Sequence, residues 1–148
     1  MYDLEDVRRV GAADNYLAVF TVAAGPEQVH TSVVSAGVID DPVDHVPGVA
    51  AVVGGGTRKL ELLRAVGRAT LVFKNGWDWV AVSGPARLVG PDDGAELGLD
   101  VPETIRSVFR AAGGTHEDWD EFDRVMAEDR RCAVFVRADR ITSNAGSG

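Results

Sequence analysis

The segment RATLVFKNGWDWVAVSGPARLV, residues 68–89, determines the fold class that we predict for this chain. Both halves are rich in β-branched and aromatic residues, and Asn75-Gly76 between them is a strong signal for a tight type I′ hairpin. Gly84-Pro85 interrupts the second half and indicates a bulge or an edge position, because proline cannot donate a ladder hydrogen bond. The segment therefore predicts two antiparallel strands, Arg68–Lys74 and Trp77–Val89.

Similar patterns on both sides of this hairpin predict four further strands. Tyr16–Ala23 and Val29–Ile39 form a second hairpin around the turn sequence AGPE, Gly48–Val53 is a short apolar strand, and Arg131–Thr142 is the last strand. Most of these strands are joined by hairpins, so the sheet should be largely antiparallel, and there are too few βαβ units for a dinucleotide-binding fold. We expect a mainly β protein whose six strands close or half-close a barrel with helices packed outside.

The helices are predicted from apolar spacing and capping residues. They span Asp3–Gly11, Thr57–Val66 with Thr57 as N-cap, Asp100–Ala112 with Asp100 as N-cap, and Glu117–Asp129 with Thr115 as N-cap. The length of 148 residues fits a single domain, 1–148, in which the small polar residues 143–148 are expected to form a flexible tail.

Charge and composition limit the class of ligand. The formal net charge is −8, which argues against binding to nucleic acid or to an anionic membrane. The stretch from Arg58 to Lys74 is different, since it holds five basic residues and one acidic residue. A local basic region on an acidic protein suits a small anionic ligand.

The one cysteine, Cys132, allows no intramolecular disulfide, and no signal peptide or membrane span is recognisable, so we expect a cytoplasmic protein.

A glycine-rich turn followed by a helix start is the sharpest local motif. Gly54–Gly56 precedes Thr57, Arg58 and Lys59, and the free N–H groups and the dipole at a helix start favour an anion there. The spacing differs from that of a Walker P-loop. The motif predicts a phosphate site, and the alternative is a flexible turn followed by an ordinary cap on a solvated helix.

Two tryptophans and three histidines are further candidates for ligand binding. Trp77 and Trp79 are two residues apart on a strand, so they would share one face and could wall a flat conjugated ring, although a core or dimer-interface pair is the commoner arrangement. His30, His45 and His116 are scattered and predict no metal site. No acid–base pair or activated nucleophile is evident, so we assign no catalytic residue. This pattern favours chemistry carried by a cofactor.

Three segments together resemble a known family. They are GTRKLELLRAVGRATLVF (residues 56–73), GWDWVAVSGPARLV (residues 76–89) and AAGGTHEDWDEFDRVMAEDRRCAVFVRADRIT (residues 111–142). In order and spacing they are similar to segments of the split β-barrel, pyridoxamine-phosphate-oxidase-like superfamily, and most similar to its F420-dependent branch. The resemblance covers about Tyr16 to Thr142. It departs from the family pattern at Thr57, where many relatives have a basic residue, and at Ser35-Ala36-Gly37, where relatives often have an aromatic residue.

The resemblance implies a six-stranded split β-barrel that forms a homodimer, with the cofactor in a groove between the subunits. It implies an oxidoreductase that uses reduced deazaflavin, coenzyme F420, to transfer a hydride to a small electron-poor organic substrate, without a dedicated catalytic side chain. The phosphate would lie near Lys59 and the ring along the second strand. The cofactor-binding residues so implied are Thr31, Ser32, Thr57, Arg58, Lys59, Arg64, Trp77 and Trp79.

Other functions remain open at this point. An FMN-dependent oxidoreductase would have the same fold, and a carrier that binds a cofactor without turnover would equally lack an acid–base group. A haem-handling relative would need His30 or His116 as an axial ligand. The sequence does not name the substrate.

Overall fold

The structure is a computed structural model, and it describes residues 3–144. In this part of the chain there are seven strands and four α-helices. The strands are β1 Leu17–Ala23, β2 Val29–Asp40, β3 Pro47–Val53, β4 Arg68–Asn75, β5 Asp78–Val89, β6 Cys132–Arg137 and β7 Arg140–Ser143. The helices are α1 Leu4–Ala13, α2 Arg58–Val66, α3 Val101–Ala111 and α4 Trp119–Glu128, and a 3-10 turn lies at Ala95–Leu97.

Six of the strands close into an antiparallel barrel. The order is β4-β1-β2-β3-β6-β5, and β5 pairs back to β4, while β7 pairs with β5 on the outside of the barrel. The predicted fold class, a mainly β, largely antiparallel six-stranded barrel with peripheral helices, is confirmed.

Strand β5 changes partners at the predicted interruption. It pairs with β4 from Asp78 to Pro85, with β7 up to Ser83, and with β6 from Ala86 onward. Pro85 therefore falls between the β7 and β6 pairings, where its missing N–H interrupts neither ladder. A Cβ at Gly84 would lie against the carbonyl oxygen of Arg137, so this close approach of two strands requires glycine.

Two predicted boundaries were wrong. The last predicted strand, residues 131–142, is divided at Ala138-Asp139, where Asp139 N–H donates to Arg137 O and the chain turns from β6 into β7. Helix α4 is capped by Asp118, whose carboxylate accepts from the N–H groups of Asp120 and Glu121, and not by Thr115. Asp118 directly precedes the first helical residue, so its side chain reaches the free N–H groups of the first turn. Thr115 is four residues before the helix and does not reach them.

Part of the predicted tail is paired. Ser143 ends β7 and its hydroxyl donates to Trp79 O, while the side-chain oxygen of Asn144 accepts from Trp79 N–H at 3.0 Å. The other positions of the predicted tail, 145–148, lie outside the described residues.

The core has two parts. The first fills the barrel around Phe20, Leu71 and Phe73 and includes buried side chains of α1 and α2. The second lies between the outer wall of the barrel and the pair α3 and α4, and its buried members are Ala50, Val89, Ile105, Val108, Phe122, Ala133 and Phe135.

Helix α3 packs directly on the barrel wall. A Cβ at Gly37 of β2 would collide with the carbonyl group of Ala111, so glycine allows the helix end to approach the strand. This contact sets the spacing between the barrel and α3, and a cavity opens beside it. Within residues 3–144, no helix is both long and apolar enough to cross a membrane.

Candidate functional site

A cavity of about 380 Å³ lies where the barrel wall meets three helices. Its lining comes from strands β2 and β3, from the glycine turn after β3, from helices α2, α3 and α4, and from the residue before β6. These residues are Val33, Val34, Ser35, Val52, Val53, Gly54, Lys59, Val108, Phe109, Ala112, Phe122, Met126 and Arg131. The walls are largely apolar, and Lys59 and Arg131 bring two positive charges to them.

Lys59 is held in place by the start of α2. Thr57 Oγ1 accepts from Leu60 N–H at 3.3 Å and donates to Gly54 O at 3.0 Å, which fixes the glycine turn against the helix. Leu60 and Leu63 bury the other face of α2 in the barrel. As a result the Lys59 ammonium lies 5.3 Å from the centre of the Phe20 ring, close enough for a cation–π contact.

The electrostatic environment of Lys59 is unfavourable for a cation. Partial burial lowers its pKa below 10.5, and the positive charge of Arg131 lowers the pKa further. Among residues 3–144, no ion pair joins Lys59 to a carboxylate. Arg131 contacts Asp129, but its Nε and Nη2 are each 3.4 Å from the same carboxylate oxygen, which is a long separation for a charged pair. Two neighbouring cations with so little compensation form a site that an anion would stabilise.

The other predicted basic residues have partners of their own. Arg64 donates two hydrogen bonds of 2.8 Å to Asp93, and this contact raises the pKa of Arg64. Arg58 is exposed and lies 3.4 Å from Glu61. Neither residue lines the cavity, and the hydroxyl of Thr57 is used in the cap.

The predicted ring-binding residues lie outside this lining. Trp77 is in the hairpin turn with 92% of its surface exposed, and Trp79 is held at the β5–β7 edge by its backbone hydrogen bonds. Thr31 is exposed, and its hydroxyl is 3.4 Å from that of Thr21. Ser32 differs from these, because its Oγ is buried and has no hydrogen-bond partner among the residues described.

Sequence reasoning missed Arg131 as a site residue. Val53 pairs with Cys132, so the antiparallel register brings the residue before β6 close to Gly54 and the start of α2. The available signal was the basic pair Arg130-Arg131 in front of a strand. The pairing of β3 with β6 joins Val53 to Cys132, which are 79 positions apart, and cannot be read from local periodicity.

The side chains of the cavity support binding rather than proton transfer. Its described lining contains no carboxylate, imidazole or thiol, and its charged side chains are the cations Lys59 and Arg131. Burial raises the pKa of the Cys132 thiol to about 12, so this cysteine is not an activated nucleophile. Within the described residues, no group of three or more His, Cys, Asp or Glu side chains is placed to hold a metal ion.

No protein-family model matches the sequence. Solved structures do match the fold. The Mycobacterium tuberculosis protein Rv2991 has a TM-score of 0.64 at 16% identity, covering 97% of this chain and 84% of its own. A pyridoxamine 5'-phosphate oxidase-related, FMN-binding protein from Nostoc punctiforme has a TM-score of 0.60 at 7% identity, covering 94% of this chain and 82% of its own. The haem storage protein HutZ from Vibrio cholerae has a TM-score of 0.56 at 9% identity, covering 95% of this chain and 94% of its own. At these identities the likeness shows the fold, and the chain has the split β-barrel fold of the pyridoxamine 5'-phosphate oxidase-like proteins.

Proposed function

We propose that this protein is an oxidoreductase that binds coenzyme F420 and uses the reduced deazaflavin to transfer a hydride to a small electron-poor organic substrate. The observation that carries the proposal is the Lys59–Arg131 pair, two neighbouring cations on the wall of an apolar cavity. The resemblance of the sequence to F420-dependent enzymes supports the choice of cofactor.

The residues present fit such a group. The volume of about 380 Å³ is within the range of ~300–1,000 Å³ that is usual for small-molecule sites. A phosphate or carboxylate would neutralise Lys59 and Arg131, and the apolar walls at Val33 and Phe109 suit a planar ring.

The chain would contribute binding, orientation and exclusion of water. Lys59 and Arg131 would hold the anionic end of the ligand, and apolar side chains of α3 and α4 would contact the rest of it. When bound, reduced deazaflavin supplies the hydride. Because the described lining offers no carboxylate, imidazole or thiol, the protein would act by placing the substrate beside the ring.

We further propose that the protein is a homodimer and that the outer face of β2, β1, β4 and β5 is its interface. The register aligns Val33, Val19, Val72 and Ala81 in one apolar row across these strands. Val33 is 64% exposed, and Val29 on the same strand face is 65% exposed. An apolar row on the outer face of the barrel is a suitable surface for a second copy. Val19→Asp should give a monomer in analytical ultracentrifugation, and a wild-type chain that sediments as a monomer would disprove the dimer.

FMN is the alternative cofactor, favoured by the FMN-binding protein of the same fold from Nostoc punctiforme. A non-catalytic carrier is the second alternative, favoured by the storage role of HutZ and by the lack of a carboxylate, imidazole or thiol in the described cavity lining. The three possibilities differ in which ligand binds and in whether bound reduced cofactor is consumed.

Parallel titrations with F420 and FMN test the proposal. Trp119 is a suitable fluorescent reporter, since its ring is 6.1 Å from that of Phe109, which lines the cavity. We expect saturable quenching by F420 and a much weaker response to FMN, followed by oxidation of bound reduced F420 when electron-poor enones or quinones are added. Tighter binding of FMN would favour the flavin alternative, and binding of F420 without oxidation would favour the carrier. Absence of binding of either compound would refute a flavin-type cofactor.

A further inference from the structure

Two adjacent aspartates lie in the tight turn that follows β5. Gly90 and Asp93 exchange backbone hydrogen bonds of 3.0 and 3.3 Å, so residues 90–93, which we call the aspartate turn, form a compact unit. Asp93 accepts two hydrogen bonds of 2.8 Å from Arg64 on α2, and 12% of the Asp93 side chain is exposed. Because Lys59 lies on the same short helix, the aspartate turn is fixed to the element that carries the first cation of the cavity.

The other aspartate of the turn is bound to the residue that follows α4 and its C-cap. Asp92 accepts hydrogen bonds from Nε and Nη2 of Arg130, and the distance from Nε to Oδ2 is 2.8 Å. The Arg130 guanidinium lowers the pKa of Asp92. Arg130 directly precedes Arg131, the second cation of the cavity. The aspartate turn therefore joins the two segments from which the two cations extend.

The backbone of Arg130 has a conformation that requires stabilisation. Its φ is 49°, in the left-handed region that residues other than glycine adopt at a cost in free energy. Arg130 N–H donates to Ala127 O, and Arg131 N–H donates to Met126 O at 2.9 Å, so this conformation ends α4 and sets the direction in which Arg131 leaves the helix. Glycine is the commonest residue at such a position, and the contact with Asp92 stabilises an arginine there.

The segment after α4 also lies directly against the glycine turn before α2. Gly55 N–H donates to Asp129 O at 3.0 Å, and a Cβ at Gly55 would lie 2.6 Å from Arg130 O. No space separates the two segments at this point. The position of Arg130 therefore determines how closely the residue after it, Arg131, approaches the start of α2.

We propose that the aspartate turn is a positioning element that keeps Lys59 and Arg131 side by side. Each of its two carboxylates acts through the arginine that it binds. The two ion pairs also interact with each other through their charges, and two-bond pairs within such a network are stronger than an isolated surface pair. The positioning itself does not depend on which anion binds, whereas its effect on F420 affinity rests on the proposed function.

Positioning and simple electrostatics predict effects of opposite sign. Neutralising a carboxylate of the turn removes negative charge, which by itself would lower the pKa of the Lys59 ammonium and strengthen the binding of an anion. Loss of positioning moves Arg131 away from Lys59, which raises the Lys59 pKa and weakens the binding of an anion. The sign of each change therefore decides between the two.

The first test needs no ligand, because the chain has two lysines, Lys59 and Lys74. In protein labelled with carbon-13 at lysine Cε, NMR titration follows both side chains, and Lys74→Met assigns the signals. We expect the Lys59 pKa, which lies below 10.5 in wild type, to rise in Asp92→Asn, in the same direction as in Arg131→Gln. An unchanged or lower Lys59 pKa in folded Asp92→Asn would overturn the proposal. The Asp92 side chain is 45% exposed, so this variant should fold.

The second test measures F420 affinity by calorimetry. Asp92→Asn and Asp93→Asn should each bind F420 about threefold more weakly than wild type. Glu5→Gln is the matched control, since it neutralises a carboxylate that is paired with Arg8 on α1 and does not line the cavity, and it should leave the affinity and the Lys59 pKa unchanged. Tighter binding of F420 by folded Asp92→Asn would contradict positioning.

The two tests separate this proposal from the proposed function. If wild type does not bind F420 but the Lys59 pKa rises in Asp92→Asn, the proposed function fails and the positioning role stands. If F420 binds to wild type and the Lys59 pKa does not rise in folded Asp92→Asn, the positioning role fails and the proposed function stands.

Discussion

Replacing Lys59 by methionine should lower the affinity for the ligand without destabilising the protein. The substitution keeps a long unbranched side chain at a partly buried position and deletes the ammonium group that lies near Arg131 without a carboxylate partner among the described residues. A residue that binds a ligand without stabilising the free protein should change the affinity and leave the free energy of unfolding nearly unchanged, and this contrast distinguishes a binding residue from a structural one.

The magnitudes follow from the contacts of Lys59. A charge-assisted hydrogen bond to an anionic oxygen contributes about 1.5–3 kcal/mol, so affinity for F420 should fall about 10- to 150-fold. In the free protein, the substitution loses the cation–π contact with Phe20, worth ~0.5–1 kcal/mol at an exposed site, and relieves repulsion from Arg131 and the desolvation of the ammonium. These effects oppose one another, so the free energy of unfolding should stay within about 1 kcal/mol of wild type.

The assay pairs calorimetric titration of F420 with urea unfolding followed by circular dichroism. Lys74→Met is the matched control. Lys74 is the other lysine of the chain, is exposed near the end of β4 and does not line the cavity, so this substitution should leave both quantities unchanged. Unchanged affinity in Lys59→Met would refute the assignment of Lys59 to the anion. A loss of several kcal/mol of stability would show that Lys59 holds the structure together and that the two-cation argument is wrong.

Three further outcomes are expected. Affinity for an anionic ligand should be full below the lowered pKa of Lys59 and should fall as pH rises through that pKa, which lies below 10.5. In Lys59→Arg the fall should move to higher pH. A pH-independent affinity in wild type would contradict this prediction. Gly37→Ala should destabilise the protein by about 1–3 kcal/mol in urea unfolding, because its Cβ would collide with the Ala111 carbonyl, and a wild-type midpoint would show that α3 can move away freely. Cys132 should resist a thiol reagent at pH 8 until the protein unfolds, because it is buried and its pKa is raised to about 12, so rapid modification of the native protein would show that β6 opens readily.

Local signals predicted most of the fold because they act over short distances. Asn75-Gly76 produces the β4–β5 hairpin, and the caps Thr57 and Asp100 start α2 and α3 where expected. The division of the last strand was missed because Ala138-Asp139 contains neither glycine nor proline to signal a break, and a turn of the backbone alone separates β6 from β7 there. Periodicity identifies which residues can form strands, whereas the point at which a barrel strand leaves one partner for another depends on tertiary pairing.

The candidate site was predicted only in part for the same reason. Lys59 follows from the turn and helix start around it, but the charged partners of the basic residues depend on distant segments. Arg64 meets Asp93, which is 29 positions away, and Arg131 reaches the cavity through the pairing of β3 with β6. The basic region of the sequence therefore contains residues that the fold assigns to different tasks, and the sequence shows their charges but not their partners.

The acidity of the chain makes the lack of a carboxylate partner for Lys59 among the described residues more informative. With 23 acidic and 15 basic residues, a carboxylate partner is readily available to most arginines, and Arg64 and Arg106 each have a two-bond partner. Lys59 has none among the described residues, although it is partly buried beside Arg131. Burying an unpaired charge costs free energy. Many single substitutions in so acidic a chain would pair or remove such a charge. That Lys59 remains uncompensated here is best explained by a ligand that supplies the missing negative charge.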